Sequence, residues 1–360
     1  MAKFSEILSI VNGKNQSKVE NPNGRYPIYG SGGVMGYADD YLCDAETVVI
    51  GRKGSINKPI YVEEPFWNVD TAFGLVANRD LLLPKYLFYF CVYFDFEQLN
   101  TTVTIPSLTK ANLMNIEMML PSLVVQQEII NRLSKIDELI ALRKEQIAKL
   151  DQLVKSRFVE LFGDPVSNPH GFPKVPLSEL AEIKIGPFGS LLHKEDYIAN
   201  GHALVNPSHI VAGKISVDDE LTVSDEKFSE LSAYHLQIGD VVMGRRGEMG
   251  RCAVVQTEGL LCGTGSLLIR TKGDVTADYL QKIISFPSFK KTIEDMAVGQ
   301  TMPNLNVPIV SRFQIIKPPI EVQKAYYTFI EQTDKSKLAI QQSLDKLELL
   351  KKSLMQEYFG

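Results

Sequence analysis

The chain has little that would serve a secreted, membrane-spanning or metal-dependent protein. Its four cysteines, Cys43, Cys91, Cys252 and Cys262, show no CxxC spacing, so neither a zinc finger nor a disulfide framework is indicated. They read as buried thiols. No apolar run approaches the ~20 residues of a membrane span, and the strongest, Tyr86 to Phe94, reads as a buried helix or strand. The first residues also lack the basic start and apolar stretch of a secretion signal, so a cytoplasmic protein without membrane association is expected. A basic excess is missing as well: 38 Lys and Arg face 43 Asp and Glu, a net charge of -5, where nucleic-acid binding usually leaves a positive footprint.

Catalytic signatures are equally scarce. No GxxxxGK[ST] occurs, and Gly30-Ser-Gly-Gly-Val-Met-Gly36 has Met35 where a GxGxxG cradle needs glycine, so it reads as a turn requiring positive φ. Neither Asn-Pro-Pro-Tyr nor Asp-Pro-Pro-Tyr is present, which removes the amino-methyltransferase site of that type. All five histidines lie in the second variable domain, 164–317, without counterparts in the first, so a shared catalytic role is not expected to rest on them. A binder is indicated, not a catalyst, and no cofactor or metal is expected on this chain.

What is present is a duplication. A shift of 197 residues lays Thr104-Ile-Pro-Ser-Leu108 on Thr301-Met-Pro-Asn-Leu305, Gln126 on Gln323, and Phe162-Gly163 on Phe359-Gly360, with 15 identities in the 60 positions from 104 to 163. Chance would give roughly one match in sixteen. A shift of 193 lays Val48-Val-Ile-Gly-Arg-Lys-Gly54 on Val241-Val-Met-Gly-Arg-Arg-Gly247, and also Thr71, Leu75 and Tyr86 on Thr264, Leu268 and Tyr279. At 173, Ser5-Glu-Ile and Gly13 meet Ser178-Glu-Leu and Gly186. The chain is one unit used twice, a variable domain followed by a helical tail.

The tails, about Ser122 to Phe162 and Glu321 to Tyr358, contain good helix formers and no internal proline or glycine. Their apolar residues step by seven, with Ile129, Leu133, Ile136, Ile140, Ile147, Leu150 and Val154 on the first helix, and Ile340, Leu344, Leu347 and Leu354 on the second. Forty residues make a rod of roughly 60 Å. Arg143, Arg157, Lys337 and Lys351 interrupt these seams, either as stems that snorkel to solvent or as charges that set the pairing register. Residues 163–173 read as a linker. The expected architecture is α+β: two pseudo-repeated mixed α/β domains at 1–120 and 164–317, separated by two long antiparallel coiled-coil helices at 121–163 and 318–360.

The informative loops are Gly51-Arg-Lys-Gly-Ser-Ile-Asn-Lys58 and its repeat Gly244-Arg-Arg-Gly-Glu-Met-Gly-Arg251. Basic residues between glycines can approach a phosphate backbone closely, and arginine can pair with guanine in a bidentate contact. Arg52, Lys53, Arg245 and Arg246 would be the shared framework. Ser55, Asn57 and Lys58 of one copy, against Glu248 and Arg251 of the other, would be free to read different bases. A solvated turn whose charges do nothing is the competing interpretation. Both variable domains carry a net charge of -3, so any attraction to DNA must be local to such loops.

These features resemble the specificity subunit of type I DNA restriction–modification systems. The resemblance is carried by Tyr26-Pro-Ile-Tyr-Gly-Ser-Gly-Gly33, Thr102-Val-Thr-Ile-Pro-Ser-Leu108, Leu120-Pro-Ser-Leu-Val-Val-Gln-Gln-Glu-Ile129, Phe162-Gly-Asp-Pro165 and Gly186-Pro-Phe-Gly-Ser190, and it covers essentially the whole chain. It implies two target-recognition domains, each reading half of a split double-stranded DNA sequence, with the helices as a ruler. It also implies docking of two methyltransferase subunits that bring S-adenosylmethionine, and of two restriction subunits using ATP and Mg where such subunits exist. Further DNA contacts are expected at Tyr29 and Ser31 of the first domain, and at Phe188, Ser190 and Asn206 of the second. A non-DNA coiled-coil scaffold is the rival reading. It leaves the duplicated loops unexplained. Two departures stand out: the chain starts without the lead-in strand expected at Phe172 to Leu177, and the first domain is the shorter one.

Overall fold

The computed structural model describes residues 1–99, 107–297 and 304–360, and the chain divides into two compact units, 1–147 with 338–360, and 148–337. The repeated Thr104–Leu108 and Thr301–Leu305 segments fall largely outside the described residues, as does the side chain of Ser190. Each unit is a mixed α/β body with a section of both long helices, Leu123–Phe162 and Ile320–Phe359.

Unit 1 is built on an antiparallel sheet ordered Leu8–Asn12, Ala72–Ala77, Thr47–Gly51, Ile60–Val62. Unit 2 repeats that order with Ala181–Ile185, Ser266–Thr271, Val241–Gly244 and Cys252–Val254. The register matches row for row: Ile10, Leu75 and Val48 lie side by side in one sheet, Ile183, Ile269 and Val241 in the other. This corrects two sequence matches at this strand, Thr71 with Thr264 and Leu75 with Leu268, the first because Thr71 and Gly265 accept from the equivalent Arg52 and Arg245 amides. Leu75 corresponds to Ile269 and not to Leu268, so the shift is 194 within this strand and returns to 193 at Tyr86 and Tyr279, whose hydroxyls donate to the carbonyls of Met119 and Ile316. The pairing decides it, because a one-residue slip would turn every side chain to the opposite face.

A second, smaller sheet lies in each unit. In unit 1, Tyr26–Gly30 pairs antiparallel with Gly33–Ala38 and parallel with Trp67–Asn68. In unit 2, His202–Val205 pairs antiparallel with Thr222–Val223 and parallel with Leu261–Cys262. The lead-in strand is present in both. Ala2–Lys3 pairs with Glu117–Met118 as Lys174–Pro176 pairs with Gln314–Ile316, so the expected departure at the N-terminus is only a shortening to two residues.

The apolar run at Tyr86 to Phe94 lies in the helix Pro84–Tyr93 as far as Tyr93, with Phe94 capping it, and buries Tyr86, Leu87, Tyr89, Phe90 and Cys91. The same core takes Ile129, Ile130 and Leu133 from the start of the first long helix and Met355 and Phe359 from the end of the second. In unit 2 the roles exchange: Phe158 and Phe162 from the end of the first helix and Tyr326 from the start of the second enter the core. Each domain core is therefore completed by the start of one long helix and the end of the other.

Within unit 1, Asp137 meets Lys351 at 2.6 Å and Lys144 meets Glu348 at 3.0 Å, so numbers rise on one helix as they fall on the other. Unit 2 has the same sense, with Lys337 on Asp151 and the Tyr326 hydroxyl donating to the Val154 carbonyl. The seam charges divide. Both lysines reach acids across the helix pair, whereas Arg143 and Arg157 bond Gln146 and Glu160 on their own helix. Of the seam residues, Ile129, Leu133, Ile136 and Leu344 are buried, and Ile140, Ile147, Leu150, Val154, Ile340, Leu347 and Leu354 are half-buried, as a two-stranded contact allows.

Candidate nucleic-acid interface

The two Gly-Arg loops continue equivalent strands and share one backbone scaffold. The amide of Arg52 donates to the Thr71 carbonyl at 2.7 Å, and the Arg52 carbonyl accepts from Leu108 at 2.9 Å. The amide of Arg245 donates to Gly265 at 3.0 Å, and its carbonyl accepts from Leu305 at 2.9 Å. Lys53 bridges Ser107 as Arg246 bridges Asn304. Gly54 and Gly247 then turn at φ +77° and +79°, the left-handed region where a Cβ would be strained. The loop shape is thus set by hydrogen bonds and glycine, leaving the side chains between them free to differ.

A second turn stands against each loop. A Cβ on Gly51 would lie 3.0 Å from that of Ser31, and one on Gly244 would lie 3.1 Å from that of Pro207. Ser31 belongs to the two-residue turn between the paired Gly30 and Gly33, so the glycine-rich motif is a hairpin, with Gly33 at φ +118°. Tyr29 in that hairpin is half-buried, its ring 5.3 Å from Phe66 and its hydroxyl pKa raised by burial and by Glu64. Asn206, beside Pro207, accepts from the Gly265 amide at 3.5 Å. Gly13 and Gly186 serve a matching close approach, since a Cβ would strike the carbonyl oxygens of Val69 and Gly263 at 1.8 and 2.0 Å. Phe188, two residues beyond Gly186, is 60% exposed.

The side chains divide the two loops sharply. In unit 1, Arg52, Lys53 and Lys58 are exposed and have no acidic partner among the described residues, and Arg52 lies 5.7 Å from the Phe73 ring. Asn57 is exposed but tied down: its amide donates to Asp95 at 2.7 Å and accepts from the Phe96 backbone at 2.7 Å. In unit 2, Arg245 is half-buried, its pKa lowered by burial and then by Arg246, and its Nε donates to Asn304 at 3.2 Å. Glu248 is clamped. Arg251 donates to its Oε2 through Nε at 3.2 Å and Nη2 at 2.8 Å, and Lys290 donates to its Oε1 at 2.8 Å. Those bonds hold the Glu248 carboxyl down at about pKa 2. Arg251 is itself tied to the Pro207 carbonyl at 3.1 Å.

Sequence reasoning missed Lys290, which is remote in sequence from the loop and has no repeat counterpart. It also missed the work of Gln126 and Gln323, although both stand in the repeat. Each is fully buried and bonds three backbone groups, Gln126 those of Leu81, Leu83 and Pro121, Gln323 those of Asp274, Thr276 and Pro318. They weld each long helix to its domain.

Two copies of one domain, each presenting a glycine-framed basic loop of shared backbone and divergent side chains, make this an internally duplicated α/β protein. The chain belongs to the type I restriction modification DNA specificity domain family, which matches residues 1–152 and 169–350. It is 22% identical over 376 residues to a type I restriction enzyme specificity subunit of Haemophilus influenzae, covering 98% of this chain and 94% of that one. Its fold is similar to a chain solved in work on complex assembly and conformational transition of the type I system, with TM-score 0.65, 15% identity and coverage of 99% and 96%. It is also similar to the S subunit from M. genitalium, with TM-score 0.58, 15% identity and coverage of 100% and 95%. The family assigns DNA sequence specificity without catalysis and does not favour a non-DNA scaffold. Among the described residues, no helix is long and apolar enough to cross a membrane.

Proposed function

We propose that each unit reads one half of a split, asymmetric DNA sequence, unit 1 through the loop at 51–58 with the turn at 29–31, and unit 2 through the loop at 244–251 with the turn at 206–207. The observation that carries this is the identical backbone anchoring of Arg52 and Arg245 beneath different side chains, a frame built to be kept while its contacts vary. The long helices act as an antiparallel spacer. A duplex repeats every ~34 Å, so domains held by such a spacer can meet one face about a turn apart, with the base pairs between them unread. The domains sit at 1–120 and 164–317, and the spacer helices with nearby surfaces dock two methyltransferase subunits carrying S-adenosylmethionine, in the cytoplasm. Two restriction subunits using ATP and Mg join where they exist. Because both domains are mildly acidic, tight binding requires the methyltransferase subunits to close around the duplex.

The test is to combine the chain with the methyltransferase encoded beside it and map the adenines modified in random DNA. One split motif is expected, and modification scattered over unrelated sequences refutes the assignment.

A further inference from the structure

The Glu248 network has a chemistry that phosphate binding does not explain. A carboxylate on a loop that faces DNA repels phosphate, and the only group it can accept from on a base edge is an amine or other donor. An ionised carboxylate offers about four lone-pair sites. Three are occupied: Lys290 fills one on Oε1, and the Nε and Nη2 of Arg251 fill both on Oε2. One site on Oε1 remains, on a side chain that is 53% exposed. The clamp also fixes where that site points, because Arg251 is anchored to Pro207 and Lys290 sits on a separate helix, Pro287–Met296. The two cations leave the cluster at a net +1, so it can approach a duplex despite the carboxylate. The corresponding residue of unit 1 is Ser55, whose hydroxyl both donates and accepts and so selects less.

The geometry points to Glu248 as the residue that specifies a cytosine in the half-site read by unit 2, its free Oε1 lone pair accepting from the cytosine N4 amine. Carboxylate side chains pair with that amine in the major groove, and acceptor-only edges at the same place are rejected by repulsion. Lys290 and Arg251 are positioning residues in this scheme, holding the acceptor in place as a rigid shell does in other recognition sites.

The inference rests on the two-half-site reading above, and the experiment separates the two. Complexes carrying wild type, Glu248→Gln or Glu248→Ala are each used to methylate random DNA, and the motifs are compared. A single C·G pair in one half-site should become degenerate in both variants, with discrimination there falling roughly 5- to 150-fold. The half-site read by unit 1 should be unchanged, which certifies that the variant folds and assembles. Lys290→Met should relax the same pair more weakly, through loss of positioning. A wild-type split motif that both Glu248 variants leave intact overturns this inference alone, as does relaxation at an A·T pair. A wild type that gives no split motif overturns the reading beneath it as well.

Discussion

The two units place the same backbone under opposite electrostatic regimes. Unit 1 presents Arg52, Lys53 and Lys58 without acidic partners among the described residues, while unit 2 binds Arg251 and Lys290 into a carboxylate. The contrast extends to the sheets. Where unit 1 carries Thr47 and Val76 at the corresponding repeat positions, unit 2 carries Asp240 and Arg270, an ion pair with the Arg270 Nε and Nη2 donating at 2.8 and 2.7 Å. Duplication has kept hydrogen-bonded frame positions and let charge drift between them. That is what a reader of two different half-sites needs.

The largest test of the comparison lies in the crossed helix ends. Phe162 packs 5.1 Å from the Tyr279 ring in unit 2, and Phe359 packs 5.2 Å from Tyr86 in unit 1. Phe162→Ala and Phe359→Ala should each cost about 3–5 kcal/mol, with Phe359 toward the lower figure because it is 7% exposed where Phe162 is fully buried. Hydrogen exchange should locate the loss in unit 2 for the first and in unit 1 for the second. Unit 1 keeping its protection in Phe359→Ala would break the picture of domains completed by the opposite helix.

A smaller effect sharpens the sheet difference. Asp240 is 2% exposed in its side chain and Arg270 30%, so Asp240→Asn leaves a mostly buried guanidinium without its charge partner. The cost should be about 2–3 kcal/mol, below that of a fully buried pair because Arg270 still reaches solvent. Installing the unit 1 pair in its place, Asp240→Thr with Arg270→Val, should recover most of that loss. Denaturant midpoints of the three proteins decide it, and a double variant no more stable than Asp240→Asn would mean the two sheets are not interchangeable here.

Much of this was legible in the sequence because the duplication reports twice on every structural constraint. Both long helices, the mixed α/β character of each domain and the Gly-Arg loops follow from pattern and repeat. Three things did not. The slip of one residue at Leu75 is invisible without hydrogen bonding, since leucine and isoleucine match either neighbour. The two-residue strand Ala2–Lys3 is too short to show alternation and exists only because Glu117–Met118 pairs with it. The clamp on Glu248 depends on Lys290, brought in by a helix 42 residues downstream, and no local periodicity encodes such a meeting.

The smallest effect concerns salt. Counterion release follows the net charge a protein brings to the phosphates, so an unpaired lysine contributes nearly one unit to the slope of log K against log salt, while a lysine already neutralised by a carboxylate contributes less. Lys53→Ala and Lys58→Ala in the assembled complex should therefore each lower the slope by about one if they contact phosphate. Lys290→Ala should change it by clearly less, even though it removes the same formal charge. Equal changes for all three would show that DNA displaces Lys290 from Glu248 and that the asymmetry between the loops vanishes on binding. Unequal changes would mean the ion pair persists at the interface, so that unit 1 supplies most of the attraction and unit 2 most of the fixed geometry.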